Sequence, residues 1–331
     1  MEEKLIYDLE AEMAKRGEKV YGFLPITQKA DCSWVKIPVI IVNGEKDGPV
    51  CVVDSCTHGD EYEGAEAISK FAEEVKTSEL RGTWIGIPGL NLEAFSYGKR
   101  ENHMDYSYGN MNRIFPGNED AYITQRIAKF YLDHVLSKAD FLISFHGGGN
   151  VLYVTPQVGY QDPSNATGEI SHRMAKAIGF KCLYGGKNSA FAGTMRSESY
   201  KLGLPSITVE IGSQSCRHSE RFININRAAE GICSVLREMD MMEGSPRCLD
   251  EYIDSEYSLT YIYAKFGGFH IPVKQPEEKV KKGEVLAIVK DLFGNQVEQV
   301  KAPFDGVVYG YCDYPIVQPG NWSYLFARYD F

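Results

Sequence analysis

The sequence has no Cys-x-x-Cys pair, no run of lysine and arginine, no internal repeat and no low-complexity segment. It also lacks any apolar stretch approaching the ~20 residues that cross a bilayer, so no membrane span is expected. With no basic run to break it, the net charge of -10 argues against a general nucleic-acid or anionic-membrane surface, and an anionic ligand would need a local cluster of arginines. The first seven residues are acidic and hold no apolar core for export. Eight cysteines, at positions 32, 51, 56, 182, 216, 233, 248 and 312, permit disulfides by number, but in a large chain without a secretory signal reduced thiols are the better reading. A cytoplasmic protein is expected.

What is present is an ordinary globular composition, 44% hydrophobic and 24% charged over 331 residues, long enough for a large core and for two domains. As far as about residue 240, strand and helix patterns alternate. Strands are expected over 38–42, 50–55, 83–87, 140–145, 151–155 and 206–209. Helices are expected over 64–75, 121–136, 169–178 and 224–237. Alternation of this kind predicts an α/β fold, a largely parallel or mixed sheet with helices on both faces. In such sheets the ligand crevice lies beyond the carboxyl ends of the strands.

Residues 50–64, V-C-V-V-D-S-C-T-H-G-D-E-Y-E-G, organise the rest. An apolar strand runs out at Ser55, and His58 and Glu61 follow on the exit loop. An imidazole and a carboxylate three residues apart can converge on one small cation, and N/O ligands suit zinc. The pair is also compatible with a plainer role, since Glu61 precedes an expected helix whose positive end favours an acid. Two further strand ends supply partners: 140–145 runs into His146-Gly-Gly-Gly149, and 207–209 into Glu210. His58, Glu61 and His146 make a three-ligand site with a position open for water, the arrangement of catalytic zinc. Glu210, not needed as a ligand, can accept the water's proton and deliver it to a leaving nitrogen.

Between the ligands lies a polar, glycine-punctuated loop over 100–117, and long loops in compact domains are usually functional. Arg113 beside Asn112 can hold a carboxylate in bidentate fashion, and Arg100 can face a developing oxyanion; an ion pair that merely stabilises the loop is the plainer role for either. Of the other histidines, His134 reads as packing on its helix, His103 and His218 lie near the site in sequence and could touch substrate, and His172 and His270 carry no signal.

H-G-D-E at 58–61, N-M-N-R-I-F-P-G at 110–117, D-F-L-I-S-F-H at 140–146 and T-V-E-I-G at 208–212 resemble, in the right order, the succinylglutamate desuccinylase and aspartoacylase family of zinc-carboxypeptidase-like amide hydrolases. The resemblance implies one zinc ion on His58, Glu61 and His146, Glu210 as general base, and Asn112 with Arg113 on a substrate carboxylate. The wording of the first two motifs is most similar to the branch of N-acetyl-diaminobutyrate deacetylases. Asp60 stands where many relatives carry Asn, and the interval from Arg100 to Asn112 is longer than in aspartoacylases.

Past about residue 241 the chain changes character. Residues 244–251 read as a linker, and short strands are expected over 259–265, 268–272, 285–289, 297–301 and 306–311, a pattern resembling the biotinyl/lipoyl-type barrel-sandwich. Its hairpin tip, 292–296, has no lysine for a carrier to modify, so a structural domain over 244–331 is expected beside a hydrolase domain over 1–243. The expected function is zinc-dependent hydrolysis of the amide bond of a small N-acyl amino acid, with a metallocarboxypeptidase or a non-catalytic binding protein as alternatives. Neither nucleic acid nor membrane is an expected partner; self-association into a homo-oligomer stays open.

Overall fold

The computed structural model describes residues 3–106, 109–186 and 191–329. Ten strands precede residue 256: β1 (Lys19–Gln28), β2 (Trp34–Asn43), β3 (Lys46–Asp54), β4 (Arg81–Ile87), β5 (Phe141–His146), β6 (Leu152–Val154), β7 (Gln157–Gly159), β8 (Cys182–Tyr184), β9 (Ser206–Glu210) and β10 (Ile253–Ser255). All but β6 form one sheet in the order β1-β2-β4-β3-β5-β9-β7-β8-β10. Its centre is parallel, β4 to β3, β3 to β5 and β5 to β9, while β1, β2 and β7 run antiparallel to a neighbour, so the sheet is mixed.

Successive side chains of a strand face opposite ways, and here both faces are apolar. Cys51, Val53, Trp84, Phe141, Ile143 and Phe145 share a core with Ala67, Ile68 and Phe71 of helix α2 (Glu63–Glu74, after the short α1, Leu9–Met13). Their alternates Val52, Ile85, Ile87 and Leu142 pack on the other face against Ile127, Tyr131 and Leu132 of α4 (Ile123–His134, after α3, Leu92–Ser96). Helices α5 (Ala166–Ala177) and α7 (Arg221–Glu238) add to the first face, while α6 (Met195–Lys201) lends Met195 to the second. Burying each such large side chain contributes about 1.5–3 kcal/mol. Gly64 lets α2 approach: a Cβ there would lie 2.2 Å from that of Phe145.

Eight further strands follow: β11 (Thr260–Tyr263), β12 (Gly268–Pro272), β13 (Lys279–Val280), β14 (Val285–Lys290), β15 (Gln296–Lys301), β16 (Gly306–Cys312), β17 (Ile316–Val317) and β18 (Trp322–Arg328). They make two antiparallel sheets, β11-β18-β16-β13 and β15-β14-β12-β17. The strand expected over 151–155 forms as β6, but it joins the first of these sheets by pairing with β16. Alternation again sets two faces. Val308, Tyr324 and Phe326 face β14, whereas Val307, Tyr309, Leu325 and Ala327 pack on Cys182, Tyr184 and Ile253 at the edge of the large sheet. The Tyr309 hydroxyl lies 2.8 Å from the Leu183 carbonyl oxygen and 2.9 Å from that of Ile253, fastening the two sheets together.

Candidate active site at the strand ends

β3, β5 and β9 lie side by side and end together, which places their exit residues in one crevice. The register pairs Asp54 with Ser144 and His146 with Glu210. Beyond Asp54 the chain turns back through Cys56, a non-glycine residue at φ +55°, a strained conformation of a kind that clusters at functional sites. The Cys56 thiol is buried 3.2 Å from the Glu61 carbonyl oxygen, which ties the turn to the residue it presents. Below the crevice, the buried Asp54 carboxylate accepts hydrogen bonds from the Tyr131 hydroxyl at 2.7 Å and the Ser144 hydroxyl at 2.8 Å. Burial pushes its pKa up to about 6.

His58, Glu61 and His146 converge, all buried. The Glu61 carboxylate meets Nδ1 of His58 at 2.9 Å and Nδ1 of His146 at 2.8 Å, and the two ring nitrogens are 3.2 Å apart. On its far side, His58 Nε2 lies 3.2 Å from Asn110 Oδ1, an acceptor only, so Nε2 carries the proton and Nδ1 is a bare lone pair. A lone pair facing a carboxylate oxygen, with a second imidazole nitrogen beside it, is an arrangement that a cation resolves, and this donor set fits one metal ion with Asn110 orienting a ligand from behind. Burial pushes His58 down to about 4. Burial opposes the ionisation of Glu61, yet His58 and His146 hold it well below the usual carboxylate range; burial also opposes charging of His146, yet Glu61 raises it.

The cavity around the triad is lined by Arg100, Asn112, Arg113 and Glu210, all singled out from the sequence, and by residues that were not. Burial pushes the Glu210 carboxyl up to about 7, into the range where a base both accepts and returns a proton. Arg100 reaches in to within 2.9 Å of Glu61 Oε1. Asn112 Oδ1 accepts from the Met195 backbone N–H at 3.0 Å, which turns its Nδ2 toward His146 and the cavity. Arg113 donates to the Asn112 carbonyl at 2.7 Å and lies over the Phe191 ring.

Among the unforeseen lining residues are Arg196, whose guanidinium lies 5.2 Å from the Tyr184 ring centre, Leu259 just before β11, and Tyr261, Trp322 and Leu325 from the antiparallel sheet. Leu259 and Tyr261 fall in an expected strand that nothing marks as part of a site, and Arg196, Trp322 and Leu325 lie in stretches where no element was expected. His103 and His218 do not line the cavity: His103 packs edge-on against Tyr97 and His218 is exposed. His134 packs on Phe130, as its helical position suggested. Asp60 accepts from the Asn150 backbone N–H at 2.9 Å and its carbonyl accepts from Arg217, so this residue secures the glycine loop beyond His146.

Comparison with known proteins bears on the fold and the family. The chain is 26% identical over 314 residues, 91% of its own length and 87% of the relative's, to an N-alpha-acetyl-L-2,4-diaminobutyric acid deacetylase of Halomonas elongata. Its fold superposes on the product-bound ectoine utilization protein EutE (DoeB) of Ruegeria pomeroyi with a TM-score of 0.83 at 25% identity, covering 93% of this chain and 94% of that one. A succinylglutamate desuccinylase/aspartoacylase from Rhodobacter sphaeroides shares the fold, with a TM-score of 0.83 at 23% identity over 95% and 96% of the two chains. The sequence model of the succinylglutamate desuccinylase/aspartoacylase catalytic domain matches residues 47–239, more than half of the chain. The chain therefore belongs to the succinylglutamate desuccinylase/aspartoacylase family, whose members are deacylases.

Proposed function

We propose that this protein is a zinc-dependent deacylase that hydrolyses the amide bond of a small N-acyl amino acid. The observation that carries the reading is the convergence of His58, Glu61 and His146, with their ligand atoms within 4.8 Å of one another, beside Glu210 on the neighbouring strand end. These three side chains would hold the ion. When bound, zinc polarises an acyl carbonyl and acidifies water. Glu210 takes the proton of the attacking water and passes it to the departing amine nitrogen. Arg100 faces the oxygen on which negative charge develops. Asn112 Nδ2 and the Arg113 guanidinium hold the amino acid's carboxylate, fixing the acyl group over the ligands.

The deacetylase relative makes the acetyl group the first acyl group to try. The zinc-carboxypeptidase-like layout of the 1–243 portion, and a barrel-sandwich over 244–331 that shapes the cavity instead of carrying a modified lysine, belong to the same proposal. So does a cytoplasmic setting, with which eight free cysteines accord; no helix among the described residues is long and apolar enough to cross a membrane.

The test is metal content of the purified protein together with amine release from N-acetyl, N-succinyl and N-formyl amino acids, with short peptides as competitors. About one zinc per chain and turnover abolished by a chelator are expected. Metal-free protein that no added metal activates would remove the reading, and preferential cleavage of peptides would replace it with a carboxypeptidase.

A further inference from the structure

Of the two arginines proposed to touch substrate, Arg100 has an ion pair to Glu61 at 2.9 Å and Arg113 donates to the Asn112 carbonyl at 2.7 Å, single-bond tethers that leave each guanidinium plane to be set by something else. Arg100 and Arg113 both project from the loop over 97–118, whose described residues hold no regular element beyond a one-turn 3-10 helix, Met111–Arg113, and neither guanidinium is held in bidentate fashion by a carboxylate among the described residues. Each also rests on an aromatic ring. The Arg100 guanidinium lies 5.6 Å from the Trp322 ring centre, and that of Arg113 lies 5.4 Å from Phe191. Tyr261 joins the two rings, its centre 5.0 Å from Trp322 and 6.4 Å from Phe191. All three rings line the same cavity as the metal ligands. Tyr261 feels Arg100, Arg113 and Glu210 at once, and burial pushes its hydroxyl up, so it stays neutral among them. Trp322 begins β18 and Tyr261 lies in its neighbour β11, where Tyr261 pairs with Leu325 and Tyr263 with Trp322. Both residues lie outside the 47–239 stretch that carries the family's catalytic domain.

We infer that Trp322, Tyr261 and Phe191 form an aromatic wall that positions Arg100 and Arg113 and sets the spacing between them, so that the antiparallel sheet acts on the reaction through these side chains. The physical basis is the attraction of a guanidinium to a ring face, strengthened where water is excluded, together with the rigidity of a strand compared with a loop. Trp322 and Phe191 are positioning residues, since each acts through an arginine. Loss of Trp322 should affect the group that meets the developing oxyanion, and loss of Phe191 the group that binds the carboxylate. The two defects should separate in the kinetics.

This inference rests on the deacylase reading for its kinetic arm only, so the experiment has two arms. In the first, the purified protein is treated with phenylglyoxal, an arginine-selective dicarbonyl, and modification is mapped by peptide mass spectrometry. Trp322→Leu should speed modification of Arg100 by about three- to tenfold and leave Arg113 alone, Phe191→Leu should do the reverse, and Trp322→Phe should restore most of the protection. Unchanged rates at both arginines would overturn the wall, whatever the reaction proves to be. In the second arm, Trp322→Leu should lower kcat by about tenfold with KM nearly kept, and Phe191→Leu should raise KM with kcat nearly kept. If the wild type hydrolyses none of the amides while the modification rates respond as stated, the deacylase reading falls and the wall stands. A uniform fall in both constants with lost metal or lowered Tm would make the role structural only and overturn the inference. Should Trp322→Leu not fold, the exposed Phe191 decides the case, because its replacement leaves the core untouched.

Discussion

The floor and the wall of the cavity are held in different ways. His146 and Glu210 occupy paired positions at the ends of adjacent parallel strands, and His58 and Glu61 follow directly from the strand beside them, so backbone hydrogen bonds fix their mutual placement. The wall has no strand register to the floor; Arg100 reaches it through an ion pair to Glu61 at 2.9 Å. Arg100 and Arg113 sit on a loop and meet Trp322, Tyr261 and Phe191 through ring contacts that no ladder enforces. The proposed metal ligands and base thus lie on the rigid part, while the two arginines proposed to meet the oxyanion and the substrate carboxylate lie on a loop and lean on ring contacts. Changes in the floor should be all-or-none, and changes in the wall graded.

The largest effect is expected at the floor. Glu210→Gln should lower kcat by about 10²–10⁴ while zinc content stays at the wild-type value, measured by elemental analysis beside amine release. Turnover within tenfold of wild type would move the base elsewhere and erase the distinction. Next is Asn110→Ala, which removes the acceptor behind His58 and should weaken metal binding by about 10- to 100-fold, read by competition with a chelator of known affinity. An unchanged affinity would show that His58 is held by its strand exit alone.

A smaller effect is expected at the loop. Arg113→Lys keeps the charge and loses the fork, so KM for an N-acyl amino acid should rise by about tenfold with kcat nearly unchanged. A fall in kcat instead would place Arg113 with the floor. The smallest effect concerns pH. The proposed base, Glu210, could act only when ionised, and burial raises it to about 7, so kcat/KM should climb with pH through an acidic limb and level off once the carboxylate forms. A cation bound nearby favours the carboxylate and draws the midpoint below 7. The limb should be missing from the residual activity of Glu210→Gln; a limb that persists there belongs to another group.

The same contrast explains what could be read in advance. Apolar runs such as 50–53 and 141–145 are bounded by turn residues, so their strands, their ends and the residues just beyond were legible from order alone. The amphipathic helices α2, α4, α5 and α7 were legible for the same reason, with ends within a few residues of those observed. Strands β1 and β10 were not, because β1 mixes polar and apolar residues without a clean period and β10 is three residues long. Residues 152–154 read as a strand, but nothing in them says that the partner is β16, more than 150 residues away, and not the large sheet. The Asp54, Tyr131 and Ser144 cluster went unnoticed because a buried carboxylate on a strand shows no periodic signal.

By itself the sequence determined the mixed α/β layering and the identity of the metal-ligand candidates, since strand ends, turn residues and His/Glu spacing are local properties and local chemistry dictates them. Only the tertiary structure decided which rings support Arg100 and Arg113, that Asn110 stands behind His58, and that the antiparallel sheet closes the cavity. Those contacts join residues up to about two hundred positions apart, and they form where two independently built sheets dock on shared apolar faces.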